Sequence, residues 1–360
     1  KMVKKIIFSG GGTGGHIFPA INLMKHFYYK KYKVLLVTDN RGQNYIKKHT
    51  EFKSYTLNAG TPTNKNLFKK FFAYILIFYS IIKSIIILKK EKADLIFGFG
   101  GYVSFPISFA SRFFNLPLII YENNMILGRT NRYLSFISKK ILLAKKIEKN
   151  FPEKYRNKTY QVGSILNKDL IEHSLTKTHD NKKNFSILVL GGSQGAEIFG
   201  KVIPEAIKMI KETGHEIEIN QQCILNQKNL ITNFYQENNI KNYVFDFDKN
   251  ILKLLLSSNL AITRCGASTT AELAHTLTPF IAVPLPNSID NHQYLNAKYY
   301  ESKGCCWLME QNKFNSKNLY NLILEIIESK NKLKIISESM KKDFKNNVYQ
   351  NIENEIKEFI

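Results

Sequence analysis

Two glycine clusters interrupt this 360-residue chain directly after short apolar runs: Gly10-Gly-Gly12-Thr-Gly-Gly15 after residues 4–9, and Gly191-Gly-Ser-Gln-Gly195 after residues 185–190. A glycine turn joining a strand to a helix gathers N–H groups without helical partners and the positive end of the helix dipole at one point. Such a point suits an anion, commonly a phosphate. His16 follows the first turn directly. There the dipole disfavours the imidazolium, which keeps a neutral, proton-accepting ring near pH 7. The competing reading is a histidine that caps the turn or touches phosphate, with Glu122 and Asp39 as rival bases.

Further along, Arg264-Cys-Gly-Ala-Ser-Thr-Thr-Ala-Glu272 places small residues where a ligand must approach the backbone. The two carboxylate oxygens of Glu272 can accept from two vicinal hydroxyls, as on a ribose. An acid that merely stabilises a helix end is the plainer alternative. Asp290, Asn291, His292 and Gln293 form a polar cluster heading a helix, suited to reading sugar hydroxyls or to a solvated cap. The first turn also fits GxGxxG, with Asp39 at the spacing of a ribose-binding acid, so a nicotinamide-dependent dehydrogenase is a rival. That fit draws on five glycines in six positions and leaves the second turn without a purpose.

The elements that must hold these residues alternate. Strands are expected at residues 4–9, 33–38, 95–97, 117–121 and 140–143, with a helix over 18–30. After a lysine-rich polar stretch, 167–184, the pattern restarts with strands at 185–190, 216–220, 243–245, 260–263 and 280–283. Helices follow from 316 to 360. This order gives two parallel, doubly wound α/β units.

Composition agrees with two globular domains: 44% hydrophobic and 22% charged residues exclude disordered, collagen-like and disulfide-scaffold classes. The four cysteines have no CxxC spacing, which points to a reducing compartment without a zinc site. Charge is lopsided. Residues 1–160 hold 29 Lys and Arg against 7 Asp and Glu, and residues 161–360 hold 23 against 22. The first part therefore faces negative charge, either nucleic acid or an anionic membrane. No RNA-binding motif or basic-aromatic interleaving supports nucleic acid. Residues 71–88 reach the lower length limit of a spanning helix, but Lys83 lies within them at a cost of a few kcal/mol in a bilayer. Lys69, Lys70, Lys89, Lys90 and Lys92 bracket the stretch, as suits a helix lying at headgroup level. A core helix with solvated lysines is the alternative. The run at residues 6–8 ends too soon in glycines to read as a signal peptide.

The segments Gly11-Gly-Thr-Gly-Gly-His16, Phe99-Gly-Gly-Tyr-Val-Ser104, Glu122-Asn-Asn124, Gly191-Gly-Ser-Gln-Gly-Ala196, Arg264-x-Gly-Ala-x-Thr269-x-x-Glu272 and His292-Gln-Tyr-x-Asn296 resemble, in that order, the motifs of the MurG family. Members of that family transfer N-acetylglucosamine (GlcNAc) from UDP-GlcNAc, converting lipid I to lipid II in bacterial peptidoglycan synthesis. The resemblance implies a GT-B fold, two Rossmann-like doubly wound domains facing a cleft. Residues 1–163 would bind acceptor and membrane and residues 164–360 the donor, with the C-terminal helix packing back on the first domain. It implies an inverting enzyme without cofactor, peripheral on the cytoplasmic face of the inner membrane. Its partners would be UDP-GlcNAc, lipid I, the anionic membrane surface and other cell-wall synthesis proteins, and not nucleic acid. A related UDP-sugar 2-epimerase, a glycolipid synthase and a non-catalytic nucleotide-sugar binder share enough of the pattern to stand as alternatives.

Carried over by position, Ser193 and Gln194 face the donor pyrophosphate, and Phe247 and Asp248 line the uracil pocket. Ala267, Ser268 and Thr269 hold the donor, Glu272 binds ribose, and His292 and Gln293 contact the GlcNAc hydroxyls. Thr13, Gly14 and Gly15 receive the acceptor pyrophosphate, Tyr102 and Asn124 lie near the reacting sugar, and His16 and Glu122 are the catalytic candidates. The chain departs from the family in four places. His292 replaces a usual glutamine and Tyr121 a usual histidine; Gly163-Ser-Ile-Leu-Asn167 lacks an arginine for which Lys168 is the available substitute; and Gln221-Gln-Cys-Ile224 lacks a glycine. Helix N-termini can stabilise the departing phosphate without a metal, so none is expected.

Overall fold

The computed structural model describes residues 3–47, 51–58, 60, 66–147, 151–174, 185–192, 196–248, 250–329, 331–343 and 347–360. The chain divides into two compact units, one of Lys1–Leu166 with Lys345–Ile360 and the other of Asn167–Phe344.

The first unit is built on seven parallel strands: β1 (Lys5–Ser9), β2 (Lys33–Thr38), β3 (Lys53–Thr56), β4 (Leu95–Gly98), β5 (Leu118–Glu122), β6 (Lys140–Leu143) and β7 (Thr159–Gln161). Their order is β3-β2-β1-β4-β5-β6-β7. Its first helices are α1 (Gly14–Tyr29), α2 (Asn40–Ile46), α3 (Leu67–Glu91), α4 (Ser104–Ala110) and α5 (Arg129–Leu134). The central strands are apolar on both faces, with Ile6, Ile7, Phe8, Leu36, Ile96, Phe97, Ile119 and Ile141 fully buried, as a parallel sheet covered by helices requires. Strand order reverses between β1 and β4, so the loops leaving those two strands open the crevice where doubly wound sheets bind ligands.

The C-terminal helix Val348–Ile356 closes this unit. Ile352 and Ile356 are fully buried, the Tyr349 hydroxyl donates to the Leu166 carbonyl, and Glu353 meets His26 Nε2 at 2.5 Å and Lys30 Nζ at 2.7 Å.

The second unit repeats the plan with six parallel strands: β8 (Phe185–Leu190), β9 (Ile217–Gln222), β10 (Lys241–Phe245), β11 (Leu260–Thr263), β12 (Phe280–Ala282) and β13 (Cys306–Leu308). The order is β10-β9-β8-β11-β12-β13, with the reversal between β8 and β11. Its helices are α6 (Lys168–Ser174), α7 (Glu197–Glu212), α8 (Lys228–Glu237), α9 (Ile251–Ser257), α10 (Ala267–His275), α11 (His292–Ser302), α12 (Ser316–Glu328) and α13 (Lys332–Asp343).

Three strands go beyond the sequence reading: β3, β7 and β13, the first two at the outer edges of the first sheet and the third at an edge of the second. An edge strand is covered on one side only, and β3 and β7 are correspondingly short and half-exposed, so neither shows a continuous apolar run. The first helix starts at Gly14 rather than near residue 18, because the Thr13 carbonyl already accepts the His16 and Ile17 N–H groups.

Candidate active site

At the reversal point of the first unit, two glycine turns lie against each other. Gly101 has φ +76, and a Cβ there would stand 2.4 Å from the Gly11 carbonyl oxygen, so only glycine permits this approach. Gly12, at φ +84, donates its N–H to Asp39 Oδ2 (3.0 Å), while Asp39 Oδ1 accepts the Gly42 N–H (2.8 Å) and caps α2. Asp39 thus fixes the first turn, a structural use that competes with both roles considered for it, ribose acid and rival base.

His16 lies in the first turn of α1, half-buried, with Nδ1 2.8 Å from the Phe99 carbonyl oxygen. Gly14 and Gly15 open the same helix behind an exposed Thr13, and their N–H groups have no carbonyl one turn back to bond. Tyr102 stands half-buried in the turn that begins α4.

Glu122 is 2% exposed at the end of β5. One oxygen accepts the backbone and side-chain N–H groups of Asn124 (both 3.0 Å), the other the Gly128 N–H (2.9 Å) and Asn131 Nδ2 (3.0 Å). Four donors occupy the four acceptor positions of a carboxylate. Glu122 thus organises the loop that carries Asn124, a structural use that competes with the catalytic role expected of it. Asn131, which no sequence signal singled out, supports this carboxylate and also the Tyr121 carbonyl. Tyr121 is itself a buried strut, its phenol oxygen accepting the Ile165 N–H at 3.1 Å and lying 3.1 Å from the Gly163 carbonyl.

In the second unit, Gly192 turns the chain at φ +80 after β8. Ser193 and Gln194 lie outside the described residues. Beside this turn, β11 leads through Arg264 into α10. The Arg264 guanidinium is buried over the Phe199 ring and donates to the carbonyls of Val283 and Pro284 and to Gln311, so it is a clamp between strand ends. Ala267, Ser268 and Thr269 form the first turn of α10.

Glu272 is the sixth residue of that helix, beyond the first turn where an acid would stabilise the N-terminus. Its carboxylate is half-buried with no hydrogen bond or ion pair among the described residues, and burial pushes it up to about 7 from an ordinary 4.5. An uncompensated carboxylate of this kind is ready to accept from ligand hydroxyls.

Gln293 is partly engaged within the chain. Its side-chain oxygen accepts the N–H groups of Cys265 (3.1 Å) and Leu285 (3.0 Å), leaving only the amide NH₂ for a sugar. Asn296 adds to the clamp by donating to the Cys265 carbonyl at 3.0 Å. His292 begins α11 with Nδ1 2.8 Å from the Ile289 carbonyl, placed there by Asp290 and Asn291 at φ +52 and +55. Phe247 is 62% exposed and offers a ring face, and Asp248 Oδ1 accepts the Asn250 N–H at 2.6 Å. Asn167 Oδ1 accepts the Asp169 N–H at the start of α6, beside a half-buried Lys168.

Helix α3 is long and apolar enough to cross a membrane, yet only 28% of its most apolar 18 residues are buried. Its sheltered positions include Ala73, Ser80 and Ser84, while Phe68 (87%), Phe71 (66%) and Phe78 (66%) are exposed. The helix thus hides small residues and leaves an aromatic face uncovered by the described residues.

Residues 6–143 match the glycosyltransferase family 28 N-terminal domain and residues 186–355 the corresponding C-terminal domain. A protein of Rickettsia bellii named UDP-N-acetylglucosamine–N-acetylmuramyl-(pentapeptide) pyrophosphoryl-undecaprenol N-acetylglucosamine transferase is 35% identical over 94% of this chain and 95% of its own length. The protein of the same name from Pelagibacter ubique is 34% identical over 98% and 97%. Among solved structures, MurG of Acinetobacter baumannii superposes with a TM-score of 0.79 at 23% identity, covering 99% of both chains. A UDP complex of MnaA from S. aureus gives 0.71 at 14%, covering 99% and 97%.

Proposed function

The chain belongs to the family of UDP-N-acetylglucosamine–N-acetylmuramyl-(pentapeptide) pyrophosphoryl-undecaprenol N-acetylglucosamine transferases, and we propose that it works as such an enzyme at the cytoplasmic face of a bacterial inner membrane. It is an inverting hexosyltransferase that moves GlcNAc from UDP-GlcNAc to the muramyl 4-hydroxyl of lipid I, giving lipid II for peptidoglycan synthesis. The observation that carries the reading is the duplicated reversal point, with a histidine beside the glycine turn of one sheet and, beside that of the other, a carboxylate that has no partner among the described residues.

In this reading the second unit holds the donor. Glu272 accepts the ribose hydroxyls, the exposed face of Phe247 stacks on uracil beside Asp248, and the first turn of α10 with Ser193 and Gln194 meets the pyrophosphate. His292 and the Gln293 amide contact the sugar. The first unit holds the acceptor, with its pyrophosphate at Thr13, Gly14 and Gly15 and its sugar near Tyr102 and Asn124. His16 removes the proton from the attacking hydroxyl as the new oxygen–carbon bond forms. The bond from the anomeric carbon to the UDP oxygen breaks, and oriented N–H groups stabilise the charge left on the β-phosphate.

The excess of positive charge in residues 1–160 and the exposed face of α3 support a membrane-bound acceptor, since each lysine near an anionic surface contributes about 1 kcal/mol. The test is release of UDP from UDP-GlcNAc with and without lipid I in vesicles. Release that requires lipid I supports the reading. Release at the same rate without it, with N-acetylmannosamine as product, gives the reaction to a 2-epimerase.

A further inference from the structure

We infer that the Phe99-Gly100 turn sets the tautomer of His16, and that Gly100 is a positioning residue for it. The inference rests on the proposed role of His16 as base. A carbonyl oxygen can only accept, so the 2.8 Å contact between His16 Nδ1 and the Phe99 oxygen places the proton on Nδ1. A neutral ring then carries its lone pair on Nε2, which is the nitrogen that takes the proton if His16 is the base.

Three features hold the ring in this seat. The Phe99 N–H donates to the Ser9 carbonyl at 2.8 Å, which fixes the end of β4 against the end of β1 and aims the next carbonyl at α1. Gly101 allows the two turns to touch, as described above. Gly100, at φ +84, leaves the space the imidazole needs: a Cβ there would lie 3.2 Å from both His16 Cε1 and Nδ1 and 3.4 Å from Asn131 Nδ2. The crowded atoms are the imidazole edge that makes the hydrogen bond and a buried amide held by Glu122 and the Tyr121 carbonyl. Asn131 cannot retreat without releasing those acceptors, so the imidazole must.

The test reads the tautomer directly. In protein labelled with ¹⁵N-histidine at about pH 8, above the ordinary histidine range, nitrogen spectra should show His16 protonated at Nδ1 and bare at Nε2. Signals are assigned by their loss in His16→Gln. Gly100→Ala should move the ring towards protonation at Nε2, lower kcat about 10²-fold, and leave UDP affinity within a factor of about three. Gly214→Ala controls for backbone strain, because Gly214 has a similar φ of +88 with nothing within 4 Å of its Cβ position, and it should leave kcat unchanged.

A native ring protonated at Nε2 overturns the inference, and this result needs no variant. Retention of the Nδ1–H form in folded Gly100→Ala overturns the part given to Gly100. A shifted tautomer with normal kcat supports the seat and counts instead against His16 as the base.

Discussion

The side-chain oxygen of Gln293 joins two separate loops, accepting the N–H groups of Cys265 after β11 and Leu285 after β12. This bridge shapes the start of α10 and the loop before α11 together, so Gln293 matters to the donor unit whether or not it touches a sugar. Replacing it by leucine orphans two backbone donors, at a cost of about 1–3 kcal/mol each. Gln293→Glu keeps an acceptor and should recover much of that loss. Denaturant unfolding of the two variants checks this, and a leucine variant as stable as the native protein would remove Gln293 from the framework.

Glu272 carries the clearest prediction for the donor. Glu272→Ala should weaken UDP binding by about 1.5–3 kcal/mol, the scale of hydrogen bonds to a charged group. Calorimetry with UDP alone decides it, and a loss below about threefold returns this residue to a structural part.

The same carboxyl makes binding and stability depend on pH in opposite ways. Its folded value of about 7 lies above the ordinary 4.5, so between these values the folded state holds a proton that the unfolded state has lost. Its contribution to unliganded stability is fully present below about 4.5 and is lost as pH rises through about 7. UDP affinity should instead rise through pH 7, as the carboxylate that accepts ribose hydroxyls forms. Glu272→Gln should flatten both profiles. A native protein whose UDP affinity is level from about pH 6 to 8 contradicts a titrating Glu272 in the site.

For the membrane, vesicle binding should require anionic lipid and fall with salt, since clustered lysines are screened over about 10 Å at 0.1 M. Replacing Phe71, Phe72 and Phe78 with serine should weaken it further. All three are exposed, so folding should survive the change. Undiminished binding by the folded variant would turn attention from α3 to another surface.

Much of the frame was legible because parallel strands buried on both faces leave continuous apolar runs: residues 33–38, 140–143, 185–190 and 260–263 are strands over just those spans. The edge strands left no such run. The glycine turns were legible as turns, since few other residues accept φ near +80. Hydrogen-bond partners were not. Glu122 reads in the sequence as a rival base, but three of its four donors come from a loop whose course no spacing reveals and the fourth from α5. Asp39 likewise shows its role only once β1 and β2 lie side by side. The inverted burial of α3 could be suspected from its bracketing lysines, but which face it shelters is decided by packing against α4.

The most direct test of the account is the rate at which labelled GlcNAc passes from UDP-GlcNAc into the lipid I fraction, compared between the native protein and His16→Ala. The account predicts a labelled lipid product, with kcat in the variant lower by about 10² to 10⁴ and UDP affinity within a factor of a few. A variant with near-normal kcat and a raised KM for lipid I would make His16 an acceptor contact. A native enzyme that leaves all label in the aqueous phase would contradict the transfer itself.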